Sequence, residues 1–372
     1  MSDRCYVATR KGLFTVDRGA TKWSISRAAF VGDNVTLAMC DPRNGYLYAA
    51  LNHGHYGIKV HRSTDNAETW PEIATPTYPP LPEGYTLKPN PFSGKPLEWA
   101  LKLIWSLVPG GADEPGVLWC GTMPGGLFKS ENNGETWELN RALWDHPRRE
   151  EWGPNGAEYP GIHSICIHPR DSKHITVGVS TGGVWITKDG GKSWDLTGKG
   201  MRAEYTPPEA AYEPIAQDVH CLVQCETNPD VFWVQHHNGI FRSTDAAGTW
   251  SEITDVKPSV FGFAVAVHPK APDTAWFVPS MKDEKRCPID GRVVVNRTRD
   301  GGKTFETLRR GLPQEHAYDL VYRHGLDVDE TGNRLVFGST TGSLWISEDA
   351  GDSWQTVSSN LPPIYAVRFA KS

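Results

Sequence analysis

The chain has 372 residues, 38 Lys and Arg against 44 Asp and Glu, a formal net charge of −6 and a pI near 6.1. That balance leaves no basic footprint and argues against nucleic acid as a partner; no apolar run reaches the roughly 18 residues of a membrane span. The polar start, residues 1–6, lacks an apolar h-region, and the seven cysteines, an odd number, sit mostly in predicted strands (Cys5, Cys40, Cys120, Cys166, Cys221), so the reading is a cytoplasmic protein with reduced thiols.

In chain order, residues 5–8, 13–16 and 22–26 read as the second, third and fourth strands of a sheet that lacks its first. A four-stranded unit begins near Val35 and another near Ala100. The third unit reads as strands 164–168, 174–179, 183–187 and 193–196, the fourth as 220–224, 231–235, 239–242 and 249–253. The fifth is 263–267, 275–279, 292–297 and 304–308, the sixth begins near Tyr318, and 364–369 is a first strand without its three partners.

An eight-residue phrase, Ser/Thr-x-Asp-x-Gly-x-Ser/Thr-Trp/Phe, punctuates these units. It starts at Ser63, Ser130, Thr187, Ser243, Thr298 and Ser347, with Ala67 and Ala247 in the Gly place and Asn132 in the Asp place. A worn copy begins at Thr15, with Asp17, Gly19, Thr21 and Trp23. Self-similarity at a period near fifty residues marks a propeller or solenoid, and four short strands per unit make one propeller blade. The fold expected is therefore all-β: a seven-bladed β-propeller of four-stranded antiparallel blades, the repeated turns on one face. Residues 1–30 and 362–372 would close the last blade, making 1–372 one domain.

The phrase resembles the Asp-box, or bacterial neuraminidase repeat, whose carboxylate accepts backbone N–H groups of its own loop while Gly supplies a positive φ. The resemblance covers nearly the whole chain and implies the superfamily of sialidases, xyloglucan-active glycoside hydrolases, sortilin ectodomains and photosystem II assembly propellers. It carries fold rather than activity. The Arg-Ile-Pro of sialidases is absent and Arg10 precedes Lys11-Gly12, so sialidase activity is not expected. Xyloglucan enzymes use two such propellers and this chain holds one.

Long insertions at 74–98, 141–162, 198–219 and 279–291 fall on the face opposite the repeated turns, and such loops on a rigid scaffold usually bind. Three precede consecutive blades, which places the site off-centre. His163 and His220 align as the first residues of channel-lining strands; His53, His55, His236 and His237 fall in second-to-third loops; His316 precedes the sixth blade. His168 and His268, in His-Pro pairs, read as structural, and His61, His146, His174 and His324 as solvated or packed.

Candidate catalytic groups are His163, His220, Glu98 and Asp319, with Asp33, Glu158, Glu204 and Asp218 as further rim carboxylates. Arg10, Lys102, Tyr205, Tyr318 and His316 are candidate substrate-binding residues, joined by Lys11 and Tyr212. His53, His55, His163, His220, His236 and His237 are candidate ligands for a divalent or transition metal ion; Cys221 and Cys225 lack zinc-site spacing, and no organic cofactor is expected. Two functions remain open. One is an intracellular enzyme of hydrolase or lyase type acting on a small polar molecule or glycan in a His-rich funnel; the other is a non-catalytic propeller that binds a protein partner. Neither involves nucleic acid or membrane.

Overall fold

Each repeat folds into one antiparallel sheet, and in the fourth repeat the second strand is most buried and the last strand least. There Phe232–His236 is buried throughout while Ser251 is exposed and Glu252 and Ile253 are half-buried. The computed structural model of the protein describes residues 1–81, 83, 89, 94, 97–154 and 159–370. Within them lie seven four-stranded sheets, each paired in the order first to fourth strand.

The first strands are Val35–Cys40, Leu103–Pro109, Gly161–His168, Val219–Gln224, Gly262–Val267, Leu326–Val328 and Ile364–Phe369, which number blades one to seven. The seventh blade joins the two ends of the chain. Ile364–Phe369 pairs antiparallel with Arg4–Thr9, which continues into Gly12–Arg18 and Trp23–Ala29. This is the closure the sequence predicts, and it pairs two strands that would otherwise each present an open edge.

The apolar core is divided among the gaps between neighbouring blades. Trp119 and Trp185 pack between blades two and three, Phe232 and Trp250 between three and four, Trp233 and Phe277 between four and five, and Trp276 and Trp345 between five and six. Trp119, Trp185, Trp233 and Trp276 are among the largest fully buried side chains.

The repeated turn has the bonding its residues predict. Asp189 Oδ1 accepts the N–H of Lys192 and Ser193, each at 2.9 Å, and the hydroxyl of Thr187 at 2.7 Å, while Oδ2 accepts the Ser193 hydroxyl at 2.6 Å. Asp65, Asp245, Asp300 and Asp349 repeat this. At Asn132 the amide must donate to Thr136 Oγ1, at 2.9 Å, where a carboxylate would accept. The Gly position is left-handed in every full copy, including Ala67 and Ala247 at φ 65 and 63. The worn copy differs: Asp17 pairs with Arg4 at 2.6 Å instead of closing a turn.

The sixth blade also departs from expectation. Its first strand begins at Leu326, not near Tyr318, because a turn closed by Gly325 N–H to the Tyr322 carbonyl, 2.8 Å, interrupts the approach.

Candidate functional site

The first strands of blades one to five each carry a register shift near their start, between Val35 and Leu37, Ile104 and Ser106, Ile162 and Ser164, Val219 and Cys221, and Gly262 and Val265. A bulge leaves a residue out of the ladder and re-aims its side chain. The displaced residues include Trp105, His163, His220 and Phe263, so one backbone irregularity turns four rings toward the axis. His163 and Trp105 meet edge to face at 5.5 Å, and His220 stacks on Phe263 at 4.5 Å.

Blade six fills the middle. His324 Nε2 lies 2.8 Å from the His163 carbonyl of blade three. The Arg323 guanidinium sits 4.8 Å from the Trp105 ring of blade two and 5.4 Å from the Phe263 ring of blade five. The turn at Tyr322–Gly325 thus spans the ring. Arg323 Nε is buried without a hydrogen-bond partner, and Arg323 forms no ion pair among the described residues.

Beside this floor stand Asp218, His220 and His237. Asp218 is the last loop residue before its strand, His220 is the bulge residue two positions on, and His237 begins the tight turn between the second and third strands of the same blade. The His237 N–H donates to the Asp218 carbonyl at 3.0 Å, which fixes turn and loop together. Asp218 Oδ2 is 3.3 Å from His237 Nδ1 and 3.7 Å from His220 Nε2. Its Oδ1 accepts the Ser180 hydroxyl and the Thr181 N–H, both at 3.2 Å, from blade three. His220 Nδ1 lies 2.7 Å from the Gly262 carbonyl of blade five. The Tyr205 ring meets His237 edge-on at 4.9 Å, with its hydroxyl donating to the Ala216 carbonyl at 2.7 Å. Phe261 packs edge-on against both imidazoles, and Arg286 lies 5.2 Å from the Phe263 ring.

Burial and pairing compete here. Burial pushes the Asp218 carboxyl up, but the facing His220 and His237 rings outweigh it and hold the group well below the usual carboxylate range. Burial also disfavours charge on His237, yet Asp218 wins and its pKa is raised; at His220 burial wins and the pKa falls.

The site is off-centre and draws on the insertions 198–219 and 279–291. It does not gather the six predicted metal-ligating histidines. Among the described residues, Asp218, His220 and His237 are the one group of three whose donor atoms lie within 4.8 Å of one another. His163 faces the axis as expected, but its Nδ1 lies 2.8 Å from Ser164 Oγ and its Nε2 2.6 Å from the Val219 carbonyl, so neither nitrogen is left for a metal. His236 points the opposite way from His237, as neighbouring residues leaving a strand do, and packs on Phe241 at 5.1 Å; burial draws it down to about 3. His53 lies 3.6 Å from Asp33, and His55 sits exposed in the 3-10 turn Gly54–Tyr56.

The other predicted residues land elsewhere. Glu98 pairs with Lys102 and accepts through no group of the site, its own N–H bonding the Tyr159 hydroxyl at 2.9 Å. Asp319 accepts the Ser339 hydroxyl at 2.7 Å and the Thr341 hydroxyl, and with His316 it lines a separate cavity of about 450 Å³ beside Trp345. Tyr212 and Tyr318 are exposed, as are Arg10 and Lys11, and Glu204 pairs with Arg202 at 2.7 Å. Glu158 lies outside the described residues. Arg323 escaped the sequence reading; the signal was the Arg-His pair directly before Gly325.

No family model matches the chain. The chain is similar to an oligoxyloglucan-reducing end-specific xyloglucanase of Emericella nidulans, 23% identical over 265 residues, 64% of this chain and 30% of that protein. It is also similar to a probable enzyme of the same description from Neosartorya fischeri, 27% identical over 223 residues, 52% of this chain and 26% of that protein. The chain thus spans under a third of the length of these curated relatives. Among solved structures, a GH74 xyloglucanase from Xanthomonas campestris superposes with a TM-score of 0.64 at 19% identity, covering 95% of this chain and 52% of that one. YCF48 from Cyanidioschyzon merolae superposes with a TM-score of 0.55 at 11% identity, covering 88% and 87%. At these identities the likeness is one of fold.

Proposed function

We propose that the chain is an enzyme of hydrolase or lyase type whose substrate is a small polar, sugar-like molecule bound over Asp218, His220 and His237. The observation that carries this reading is the carboxylate–imidazole couple of buried Asp218 and half-buried His237, 3.3 Å apart, walled by Tyr205, Phe261 and Phe263. Aromatic rings beside convergent polar groups are what a small polar ligand requires. The description of both relatives as oligoxyloglucan-reducing end-specific xyloglucanases, one of them probable, supports the saccharide class.

The couple contains one carboxylate, so the chemistry proposed is imidazole–carboxylate acid–base catalysis and not the paired-carboxylate scheme of most glycosidases. In the neutral state His237 accepts a proton from water or from an acidic substrate carbon, and Asp218 stabilises the imidazolium formed. The unpaired Arg323 guanidinium stabilises negative charge developing on a substrate oxygen.

The test is turnover of a panel of oligosaccharides and sugar acids by the wild type, Asp218→Asn and His237→Asn. Turnover that falls at least 10²-fold in both variants is expected. Absence of turnover in the wild type across the panel would move the protein-binding alternative ahead.

A further inference from the structure

We propose that Asp218, His220 and His237 bind one divalent transition-metal ion, the type of ion that imidazole ligands favour, with its remaining positions left to water or substrate. The inference rests on the reading of these residues as the functional site and changes their part in its chemistry: with Nδ1 on an ion His237 is a ligand and not a base, and the ion takes over the activation of water.

The first argument is the tautomer of His220. Its Nδ1 lies 2.7 Å from the Gly262 carbonyl, which can only accept, so Nδ1 carries the hydrogen. The Nε2 of the neutral ring then presents a lone pair, and it faces an oxygen of the Asp218 carboxylate at 3.7 Å. Two acceptors set against each other in a buried site call for a cation between them. A backbone carbonyl on the far nitrogen is how proteins orient an imidazole toward a metal.

The carboxylate is prepared in the same way. Ser180 and Thr181 occupy Asp218 Oδ1, each at 3.2 Å, and leave Oδ2 for the imidazoles. His237 Nδ1 stands 3.3 Å from that oxygen, and all three donor atoms lie within 4.8 Å of one another. Ligands at about 2.0–2.2 Å from an ion sit roughly 3.0–3.5 Å apart, so the spacing is met at one edge and nearly met at a second. The three groups come from a loop end, a bulge and a hairpin turn of one blade, held by contacts to blades three and five.

The donor set fixes the class of ion. Two imidazoles and one carboxylate suit zinc, iron, cobalt or manganese, while magnesium and calcium prefer all-oxygen sites. Three protein ligands leave at least one position for water or a substrate oxygen, the arrangement of catalytic and not structural sites. Tyr205 does not fill it, since its hydroxyl bonds the Ala216 carbonyl. An ion there would acidify a bound water or polarise a carbonyl.

The experiment is equilibrium dialysis of the chelator-stripped protein against Zn²⁺ or Co²⁺, read by elemental analysis and Co²⁺ absorption, in the wild type, Asp218→Asn, His237→Ala and His53→Gln. About one equivalent per chain is expected in the wild type and in His53→Gln, with affinity lowered at least 10-fold in the other two. Thermal melts of the stripped proteins separate loss of ligands from loss of fold; His220→Gln, which retains a donor for the Gly262 carbonyl, is the second variant. A wild type that binds neither ion, or Asp218→Asn and His237→Ala proteins that bind as the wild type does, would overturn the proposal. Saccharide turnover by metal-free protein would sink this inference and leave the enzyme reading standing; an ion bound without turnover of any saccharide would do the reverse.

Discussion

His324 of blade six reaches across the ring to the backbone of His163 in blade three, Nε2 to carbonyl oxygen, 2.8 Å. Burial first, and then the neighbouring Arg368 charge, depress the His324 imidazole to about 3. Its folded pKa lies below the unfolded value near 6.5, so its contribution to stability is complete above 6.5 and is lost as pH falls toward 3. Chemical denaturation of the wild type between pH 7 and pH 4 is expected to show falling stability. His324→Ala, which also forfeits the cross-ring bond and opens a cavity, costs about 2–3 kcal/mol at pH 7 and shows a shallower decline with acid.

Arg323 predicts a stability–function trade. Its Nε is buried without a partner and no carboxylate pairs with it among the described residues. Arg323→Leu removes one unsatisfied buried donor, and the expected result is stability unchanged or raised by up to ~1 kcal/mol. If the guanidinium serves the substrate, turnover falls at least 10²-fold in the same protein. Thermal melts and rate measurements on one preparation decide it; a variant that is destabilised and fully active excludes the assigned role.

The repeated turns differ in their tolerance of a side chain. At Gly302, φ is +92 and a Cβ would stand 2.3 Å from Ile253 Cδ1. Gly302→Ala is therefore expected to destabilise by about 1–3 kcal/mol. Ala247→Gly, at φ 63, relieves strain and loosens the unfolded chain by comparable amounts, and should stay within about 1 kcal/mol of the wild type. Urea midpoints of the two variants check the contrast.

Trp233, fully buried between blades four and five, donates its indole N–H to the Pro272 carbonyl at 2.9 Å. Trp233→Phe loses that bond and some contact, about 1–2 kcal/mol, whereas Trp233→Ala leaves a cavity costing roughly 3–5 kcal/mol. Equal effects would mean that the blade interface closes over the void.

Strand order, blade number and ring closure could be read from the chain because they depend on local signals: an acidic turn every fifty residues and two incomplete sheets at the ends. The site was legible only in pieces. His220, His237 and Asp218 each stood among the candidates, but what joins them is a bulge after Val219 and a two-residue hairpin at His237, neither of which leaves a mark in residue periodicity. His53 and His55 matched the pattern as well as His237 did, yet they lie in blade one, where His53 stands 3.6 Å from Asp33 and His55 is exposed. Arg323 and His324 were hidden by the assumption that blade six begins as its neighbours do. The turn at Tyr322–Gly325 delays the strand and sends both side chains over the axis.

The pairing of Ile364–Phe369 with Arg4–Thr9 has a bearing on how the molecule is born. At about 5–20 residues per second on the ribosome, six sheets can assemble behind three N-terminal strands whose inner member waits, half-clasped, for residues 364–369 to emerge. Until that latch engages, the Arg4–Thr9 backbone is a sticky template for any passing extended peptide.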